Sequence, residues 1–279
     1  MRIHTYTAAE TGLLVNSYLL ETDNGVVAID TNLLNSDIAA LKARLAALKK
    51  PLRAIFVTHA HPDHFNGVLE LVRESEVPVY ATVGVDRAIR DVADAKRAQW
   101  APVYGSEWPS ETFYPSVVLA DGQVVDVDGL SITAREMGHA ESHADSYFTV
   151  QEGGAAPIAF TGDLAFNGMH PYVADGHTTA WLKALDVLEH ELAGVQHILP
   201  GHGAPTNSSL LDEQRRYLLY YREVVARLAA GAPTLTDDAH GALERAMQQF
   251  LPDTPLTWMI GLGANAVATE LARERIVQV

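Results

Sequence analysis

The segment from Thr58 to His64 reads Thr-His-Ala-His-Pro-Asp-His and constrains the fold more than any other stretch of the chain. It follows the apolar run Leu52–Val57 directly, which predicts a buried strand that ends in a polar loop. His59 and His61 lie on the same side of an extended backbone, so their ring nitrogens can converge on one metal ion. The aspartate and the last histidine begin the next element, where they can face a second ion. A solvated polar turn is the alternative, which so dense a set of ligand side chains disfavours.

The composition narrows the classes of partner. Of the 279 residues, 48% are hydrophobic, which is enough for a substantial core. The formal net charge of −15 argues against nucleic acid or an anionic membrane surface as a partner and favours cations. The chain has no cysteine, which excludes disulfides, thiolate metal ligands and a thiol nucleophile. No apolar run is long enough to cross a membrane, so a cytoplasmic protein is expected. The expected partner is a small-molecule substrate. A mature chain from which a signal peptide had been removed would have the same sequence features. The sequence leaves open whether the chain forms a homo-oligomer.

Strand and helix signals alternate along the first hundred residues, which favours sheet strands covered by helices. The Asn24-Gly25 step predicts a hairpin turn, and Asn35 or Ser36 is the expected N-cap of the first helix. Beyond residue 115, short strands separated by Asp-Gly or Gly-Gly turns predict a second, mostly antiparallel sheet. We predict strands at 11–21, 25–30, 52–57, 78–81, 116–119, 123–127, 130–136, 147–150, 157–160 and 197–199, and helices at 37–50, 66–74, 85–99, from 178, and at 210–230, 241–250 and 264–275. The prediction is one domain over 1–279, with a core over about 1–207 and C-terminal helices over about 210–279.

The segment 100–115 has neither a helical nor a strand period and is rich in aromatic residues and proline. It is predicted to be a structured loop. One interpretation is a surface loop anchored by buried rings. The other is an aromatic wall over a substrate, since binding loops concentrate such residues on rigid scaffolds.

Three further ligand candidates each stand where a predicted strand meets a turn. His139 follows Gly138, Asp163 closes an apolar run, and His202 lies within Pro200–Gly203. A carboxylate at the end of a buried strand must be paired or coordinated, because isolated burial costs several kcal/mol. With the first segment these residues supply enough ligands for two ions that share one carboxylate.

This combination of motifs resembles the metallo-β-lactamase superfamily over residues 11–203. The resemblance implies an α/β fold of the αββα sandwich type, here with a C-terminal helical extension. It also implies two divalent metal ions, with zinc expected and iron, manganese or cobalt as alternatives. The implied ligands are His59, His61 and His139 for the first ion, Asp63, His64 and His202 for the second, and Asp163 as the bridge.

The activity expected from this resemblance is metal-dependent hydrolysis, in which a hydroxide held between the ions attacks the carbonyl of a small ester, lactone, thioester or lactam. Asp63 is expected to be catalytic, since it can orient the hydroxide and return a proton to the leaving group. The absence of cysteine excludes the β-lactamases that use a thiolate ligand. Phe166 stands three residues beyond Asp163, where related lactonases carry a tyrosine, which disfavours lactonase activity of that type unless Tyr172 or another group supplies the hydroxyl.

Some flanking residues and alternative functions stay open at this stage. His143 is expected to support the ligands from outside with Ser142 and Asp145 as partners, whereas His170 either lines the pocket or belongs to a rigid turn. The alternative functions are a persulfide dioxygenase with a single iron, a β-lactamase-like lactam hydrolase, and a regulatory module that uses metal only for stability. A nuclease is disfavoured by the net charge.

Overall fold

A computed structural model of the chain describes residues 1–73 and 76–277. Its strands form two sheets that pack face to face, and helices cover both outer faces. The strands of the first sheet are β1 (Arg2–Thr7), β2 (Asn16–Glu21), β3 (Val26–Ile29), β4 (Leu52–Phe56), β5 (Val79–Thr82) and β6 (Val117–Leu119). Those of the second sheet are β7 (Val124–Val127), β8 (Leu130–Gly138), β9 (Asp145–Glu152), β10 (Ile158–Phe166) and β11 (Ile198–His202).

Both sheets are mixed, and each follows the chain closely. The first runs in the order β1 to β6, antiparallel from β1 to β3 and parallel from β3 to β6. The second runs from β7 to β11, antiparallel except for the parallel pair β10 and β11. The carboxyl ends of β4, β10 and β11 therefore carry the segments in which the sequence predicts metal ligands.

The helices complete a four-layer αββα sandwich, as predicted. The first four cover the first sheet, and the remainder, including the C-terminal helices, cover the second. In the part of the chain that the structure describes, no helix is both long and apolar enough to cross a membrane. The helices are α1 (Asn35–Ala47), α2 (Pro62–Phe65), α3 (Val68–Val72), α4 (Val83–Tyr104), α5 (Thr178–Glu191), α6 (Ser209–Ala229), α7 (Asp237–Phe250), α8 (Met259–Leu262) and α9 (Ala264–Val277).

The central core lies between the two sheets because both sheets turn an apolar face inward. Phe56 on β4 meets Phe148 on β9 edge-to-face, with ring centroids 5.2 Å apart. Tyr18 on β2 meets Phe160 on β10 in the same way at 5.3 Å. Such aromatic pairs fix how the sheets dock and add about 0.5–1.5 kcal/mol each beyond their buried area.

Backbone contacts also join the two sheets near their common edge. The amide of Ser146 donates to the carbonyl of Thr58 over 2.9 Å. His59 forms an isolated bridge with Asp145, and Val15 forms another with His202. The first predicted ligand segment is thus tied to the second sheet by main-chain hydrogen bonds, which satisfy polar groups that burial would otherwise leave unpaired.

Several sequence predictions need correction. The N-terminal strand β1 was not predicted, and β6 pairs with β5 in the first sheet, not in the second. Helix α1 is preceded by Leu34, whose side chain cannot cap it, so neither Asn35 nor Ser36 is the N-cap. Within the helix predicted over 66–74 only the short helix α3 forms, the separate helix α2 ends before it at Phe65, and Glu74 lies outside the described residues.

The predicted loop at 100–115 is partly helical. Helix α4 continues to Tyr104 and includes Pro102 in its last turn. Trp100, Tyr104 and Trp108 pack with Leu33 and Leu34, and this tertiary contact favours the helix despite the proline. The rest of the segment has little regular structure, as expected.

Trp181 on α5 anchors the end of β10. Its ring is 1% exposed, and its Nε1 donates to the carbonyl of Leu164 over 2.9 Å. We expect Trp181→Phe to lower the free energy of unfolding by about 1–3 kcal/mol, because that buried carbonyl loses its donor. Urea unfolding measures this change. Val187→Ala, on an exposed part of the same helix, should alter stability by less than about 0.5 kcal/mol. Equal effects of the two substitutions would contradict the anchoring role.

Candidate metal centre

Four buried histidines point toward one region at the edge of the two sheets. Each has one ring nitrogen held by a protein group, which leaves the other nitrogen free for the centre. Metal-binding histidines are held in this way by acceptors outside the metal site, which fix the ring orientation and the tautomer. The Nδ1 contacts are His59 to Thr58 Oγ1 at 3.0 Å, His64 to Asp30 Oδ2 at 2.8 Å and His202 to the Leu13 carbonyl at 3.0 Å, and His61 is held through Nε2 by Asp175 Oδ2 at 3.2 Å.

Asp163, within the second half of β10, lies between three of these rings. Its Oδ1 is 3.3 Å from His64 Nε2, and its Oδ2 is 3.3 Å from His202 Nε2 and 3.8 Å from His59 Nε2. Asp63 Oδ2 completes this side at 3.3 Å from His202 Nε2 and 3.5 Å from His64 Nε2. Asp163 thus lies among the histidines expected for both ions, and its bridging role stays a prediction.

Glu141 occupies the side nearest to His61 and His59. Its Oε2 is 2.9 Å from His61 Nδ1 and 3.6 Å from His59 Nε2, and the residue is 1% exposed. The ligand atoms of these three residues lie within 4.8 Å of one another. We call the whole set the buried cluster: His59, His61, Asp63, His64, Glu141, Asp163 and His202.

His139 does not join this cluster, although the sequence places it beside His59 and His61. It is exposed and packs with His143 and His177, with its ring centroid 4.5 Å from that of His177. The turn between β8 and β9 sends Glu141 inward instead. The structure therefore places Glu141, and not the expected His139, beside His59 and His61.

Close glycine packing brings the last strand to Asp163. A Cβ atom on Gly201 would lie 2.0 Å from Asp163 Oδ1 and 2.9 Å from the His64 ring. Only glycine permits this approach of the backbone to the cluster. The Pro200–Gly203 segment thus serves both to carry His202 and to make room for its neighbours.

The pKa shifts in the buried cluster show that its carboxylates favour positive charge nearby. Burial alone would lower the pKa of His64, but the facing Asp163 and Asp63 outweigh it and raise that pKa well above its usual range. Burial also lowers the pKa of His61, but the facing Glu141 and Asp175 outweigh this effect and raise that pKa to about 10. Burial raises the pKa of Glu141 to about 8. The cluster therefore favours protonated side chains, and a divalent cation bound there would supply the positive charge in place of protons.

Unpaired atoms test whether metal ions fit these residues. Buried polar atoms in folded proteins nearly always have a hydrogen-bond partner. In the described residues, buried atoms without one include His59 Nε2, His64 Nε2, both carboxylate oxygens of Glu141 and Asp163 Oδ1. All of them face the same small volume, and imidazole with carboxylate is a donor set that zinc and similar ions accept. The buried cluster fits a dinuclear metal site.

A cleft opens over the cluster, and most small-molecule sites in proteins are clefts of this kind. Its walls are mainly apolar and aromatic. Phe166 stacks on His202 with ring centroids 5.1 Å apart, and Tyr172 meets His61 edge-on at 5.0 Å. The walls comprise Leu13, Leu33, Pro62, Lys96, Trp100, Tyr104, Trp108, Phe166, Tyr172, Trp258, Met259 and Leu262. Trp100, Tyr104 and Trp108 form an aromatic wall of this cleft and also pack with Leu33 and Leu34. Contact of this wall with a substrate, one of the two interpretations of segment 100–115, stays a prediction.

The remaining predicted residues lie elsewhere. Tyr172 faces the cleft, but its hydroxyl donates to Asp175 over 3.4 Å. His170 is fully buried between Tyr217 and Thr254 and does not line the cleft, so the rigid-turn interpretation holds. His143 is exposed and approaches the cluster only through Asp175, at 3.8 Å.

Sequence reasoning missed Asp30 and Glu141. Asp30 ends the buried strand β3, which is the same signal that identified Asp163. Its carboxylate accepts from the Thr58 amide, the Thr58 hydroxyl and His64 Nδ1. Glu141 lies two residues after His139 in a polar turn, and nothing in the spacing says which side chain points inward.

Asp30 offers a test of the orientation of His64. We expect Asp30→Asn to lower metal affinity about 10–100-fold, because the ring loses the carboxylate that holds it while the shape of the side chain is kept. Competition of the purified protein against a zinc chelator measures this affinity. The exposed Asp23→Asn is the matched control. Unchanged affinity in both variants would show that Asp30 does not act through the ligand.

The fold and the buried cluster together define the class of protein. The chain belongs to the metallo-beta-lactamase superfamily, whose family model matches residues 11–202. Within that superfamily it carries a buried histidine and carboxylate cluster that is consistent with a metal site.

Individual relatives differ in their named activities. A hydroxyacylglutathione hydrolase of Francisella philomiragia subsp. philomiragia is 29% identical over 223 residues, which is 76% of this chain and 74% of that protein. The exodeoxyribonuclease WalJ of Streptococcus pneumoniae serotype 2 is 34% identical over 76 residues, and the match covers 27% of this chain and only 28% of WalJ. A metallo-beta-lactamase family protein of Thermus thermophilus shares the fold at a TM-score of 0.69 and 20% identity, over 98% of this chain and 93% of that one.

Proposed function

We propose that the chain hydrolyses the carbonyl group of a small, largely apolar ester, lactone, thioester or lactam. The observation that carries this proposal is that the buried cluster opens into a cleft whose walls are mainly aromatic and aliphatic. When bound there, two divalent ions, with zinc as our proposal and iron, manganese or cobalt as alternatives, would polarise a carbonyl and lower the pKa of the attacking water.

Asp63 is the residue that we assign to proton transfer. Burial raises the pKa of its carboxyl, but His64 and His202 outweigh this and hold the pKa well below its usual range. Asp63 is therefore ionised, and it lines the cleft next to the cluster. A carboxylate in this position can hold the proton of the attacking water and deliver it to the leaving group.

We propose that Tyr104, on the opposite wall of the cleft, supplies a hydroxyl group that contacts the substrate. It lines the cleft on α4, and burial together with the nearby charge of Asp63 raises the pKa of its phenol. The neutral phenol can donate a hydrogen bond to the substrate. In this role it replaces the hydroxyl that Phe166 cannot supply, since Tyr172 already donates to Asp175.

The charge of the cleft bears on the substrate class. Apart from histidine, the one basic side chain among its described lining residues is Lys96, which lies 3.9 Å from Asp175 and over the Tyr172 ring. An acidic substrate therefore finds little compensation there. Hydroxyacylglutathione, which the Francisella relative is named for, carries free carboxylates and is expected to be a poorer substrate than an uncharged acyl compound. Nucleic acid is also disfavoured, by the net charge of −15.

The aromatic wall provides the test. With metal-replete protein and a series of uncharged acyl esters and thioesters, kcat/KM should rise with the apolar size of the acyl group. Trp100→Ala should raise KM for the largest apolar substrate about tenfold, because roughly 1.5 kcal/mol of apolar burial is lost. Steady-state kinetics of both variant and wild type measure these values.

Val103→Ala is the matched control, since this residue lies on the same helix but is 67% exposed and outside the cleft. It should leave KM unchanged. Faster turnover of hydroxyacylglutathione or of a polynucleotide than of every apolar ester would contradict the proposed substrate class.

A further inference from the structure

A second group of histidines lies outside the buried cluster. His139 and His143 come from the turn between β8 and β9, and His177 directly precedes α5. We call these three residues the surface histidine cluster. One ring nitrogen of each lies within 4.8 Å of one ring nitrogen of both others, although the residues come from segments far apart in the chain.

The rings of this cluster contact one another. His143 Nδ1 and His177 Nε2 are 2.8 Å apart, and the centroid of the His139 ring is 4.5 Å from that of His177. The turn that carries His139 and His143 is fixed from below, because Asp145 Oδ2 accepts hydrogen bonds from the amides of Ala140 and Ser142. The turn that carries two of the three imidazoles is thus fixed by backbone hydrogen bonds.

We propose that His139, His143 and His177 form an additional metal site on the surface, which takes a borderline divalent ion such as Zn²⁺, Cu²⁺ or Ni²⁺. Imidazole suits these ions, whereas Mg²⁺ and Ca²⁺ prefer oxygen ligands. Three histidines leave one position of a tetrahedral ion open to water, as exposure of His139 and His143 requires. His143 Nδ1 and His177 Nε2, 2.8 Å apart, need to separate only slightly, since ligands at about 2.0–2.1 Å from a zinc ion lie a little over 3 Å apart. All three ligand nitrogens already lie within 4.8 Å of one another.

The site is separate from the buried cluster but adjacent to it. Asp175 lies between the two, with Oδ2 3.2 Å from His61 Nε2 and 3.8 Å from His143 Nε2. An ion held by the surface cluster would therefore lie one carboxylate away from the ligand His61. This position makes it distinct from the two ions of the proposed function, and the inference does not depend on that function.

Counting metal at saturation tests the proposal. Wild-type protein and the His177→Ala and His143→Ala variants are stripped with a chelator, loaded with Co²⁺, and assayed for bound metal and for visible absorption. Each variant should bind one equivalent less than wild type and lose the absorption of one tetrahedral Co²⁺. His190→Ala, an exposed histidine on the same helix α5, should bind as wild type does.

His139→Ala separates the two sites. It should lose the same equivalent as His177→Ala and keep the metal that resists a weak chelator. Loss of that tightly held metal instead would place His139 in the buried cluster and overturn the surface site. Equal metal content in wild type and in the His177→Ala and His143→Ala variants would overturn it as well. Circular dichroism of the metal-free proteins checks that each variant is folded.

Discussion

Asp163→Asn is expected to abolish most of the hydrolytic activity and to release bound metal. Its two oxygens face three histidine nitrogens at 3.3 to 3.8 Å, and Oδ1 has no hydrogen-bond partner among the described residues. The neutral amide keeps the size of the side chain but removes the charge that two ions would share. If metal polarisation contributes about 4 kcal/mol to the transition state, kcat should fall about 1,000-fold.

The measurements for Asp163→Asn are metal content after dialysis and kcat with the best apolar ester. Asp126→Asn, an exposed aspartate on β7 in the same sheet, is the control and should match wild type. The metal content of the wild-type protein also tests one of the alternative functions. About one iron per chain with oxygen uptake on a persulfide would support the dioxygenase alternative in place of the hydrolase. Retention of both metal and rate in Asp163→Asn would contradict the bridging role.

Glu141→Gln is expected to cost the protein the ion on the His61 side, whereas His139→Ala should leave the buried pair intact. Glu141 is buried and within 3.6 Å of His61 Nδ1 and His59 Nε2, while His139 is exposed. A coordinated cation would also keep the Glu141 carboxyl ionised, whereas burial, only partly offset by His61, raises its pKa to about 8. We expect kcat/KM to fall at least about 100-fold in Glu141→Gln, which corresponds to roughly 2.7 kcal/mol.

The two variants form a matched pair because they alter neighbouring positions of one turn. Metal retained against a weak chelator and kcat/KM for one ester are measured for both. A larger loss in His139→Ala than in Glu141→Gln would restore the ligand set that the sequence implied. Comparable losses in both would mean that the turn as a whole, and not one side chain, supports the first ion.

The metal ligands on regular elements could be predicted from the sequence, and the ligand on a turn could not. His59 and His61 follow β4, whereas Asp163 and His202 lie within β10 and β11, and strand geometry constrains where these side chains point. Glu141 and His139 share a turn whose shape is set by the hydrogen bonds of Asp145 to two backbone amides. That choice depends on a residue outside the motif, so the spacing of the motif cannot reveal it.

The fold, too, could be predicted from the sequence in part. The apolar runs predict the two sheets and the helices that cover them. The helical state of residues 100–104 could not be predicted, because it depends on packing of Trp100 and Tyr104 against Leu33 and Leu34, far away in the sequence. The same rings form one wall of the cleft, so the least periodic stretch of the chain shapes the proposed substrate site.

The joining of the two sheets at their common edge has a consequence for the order of folding. The ligands come from positions as far apart as His59 and His202, and the strands that carry them belong to different sheets. Long-range pairings of this kind form late, since their loop-closure entropy must be overcome first. The complete set of ligands therefore exists only in molecules in which both sheets have formed and docked. Metal uptake during refolding should report the last step of assembly and should not nucleate it.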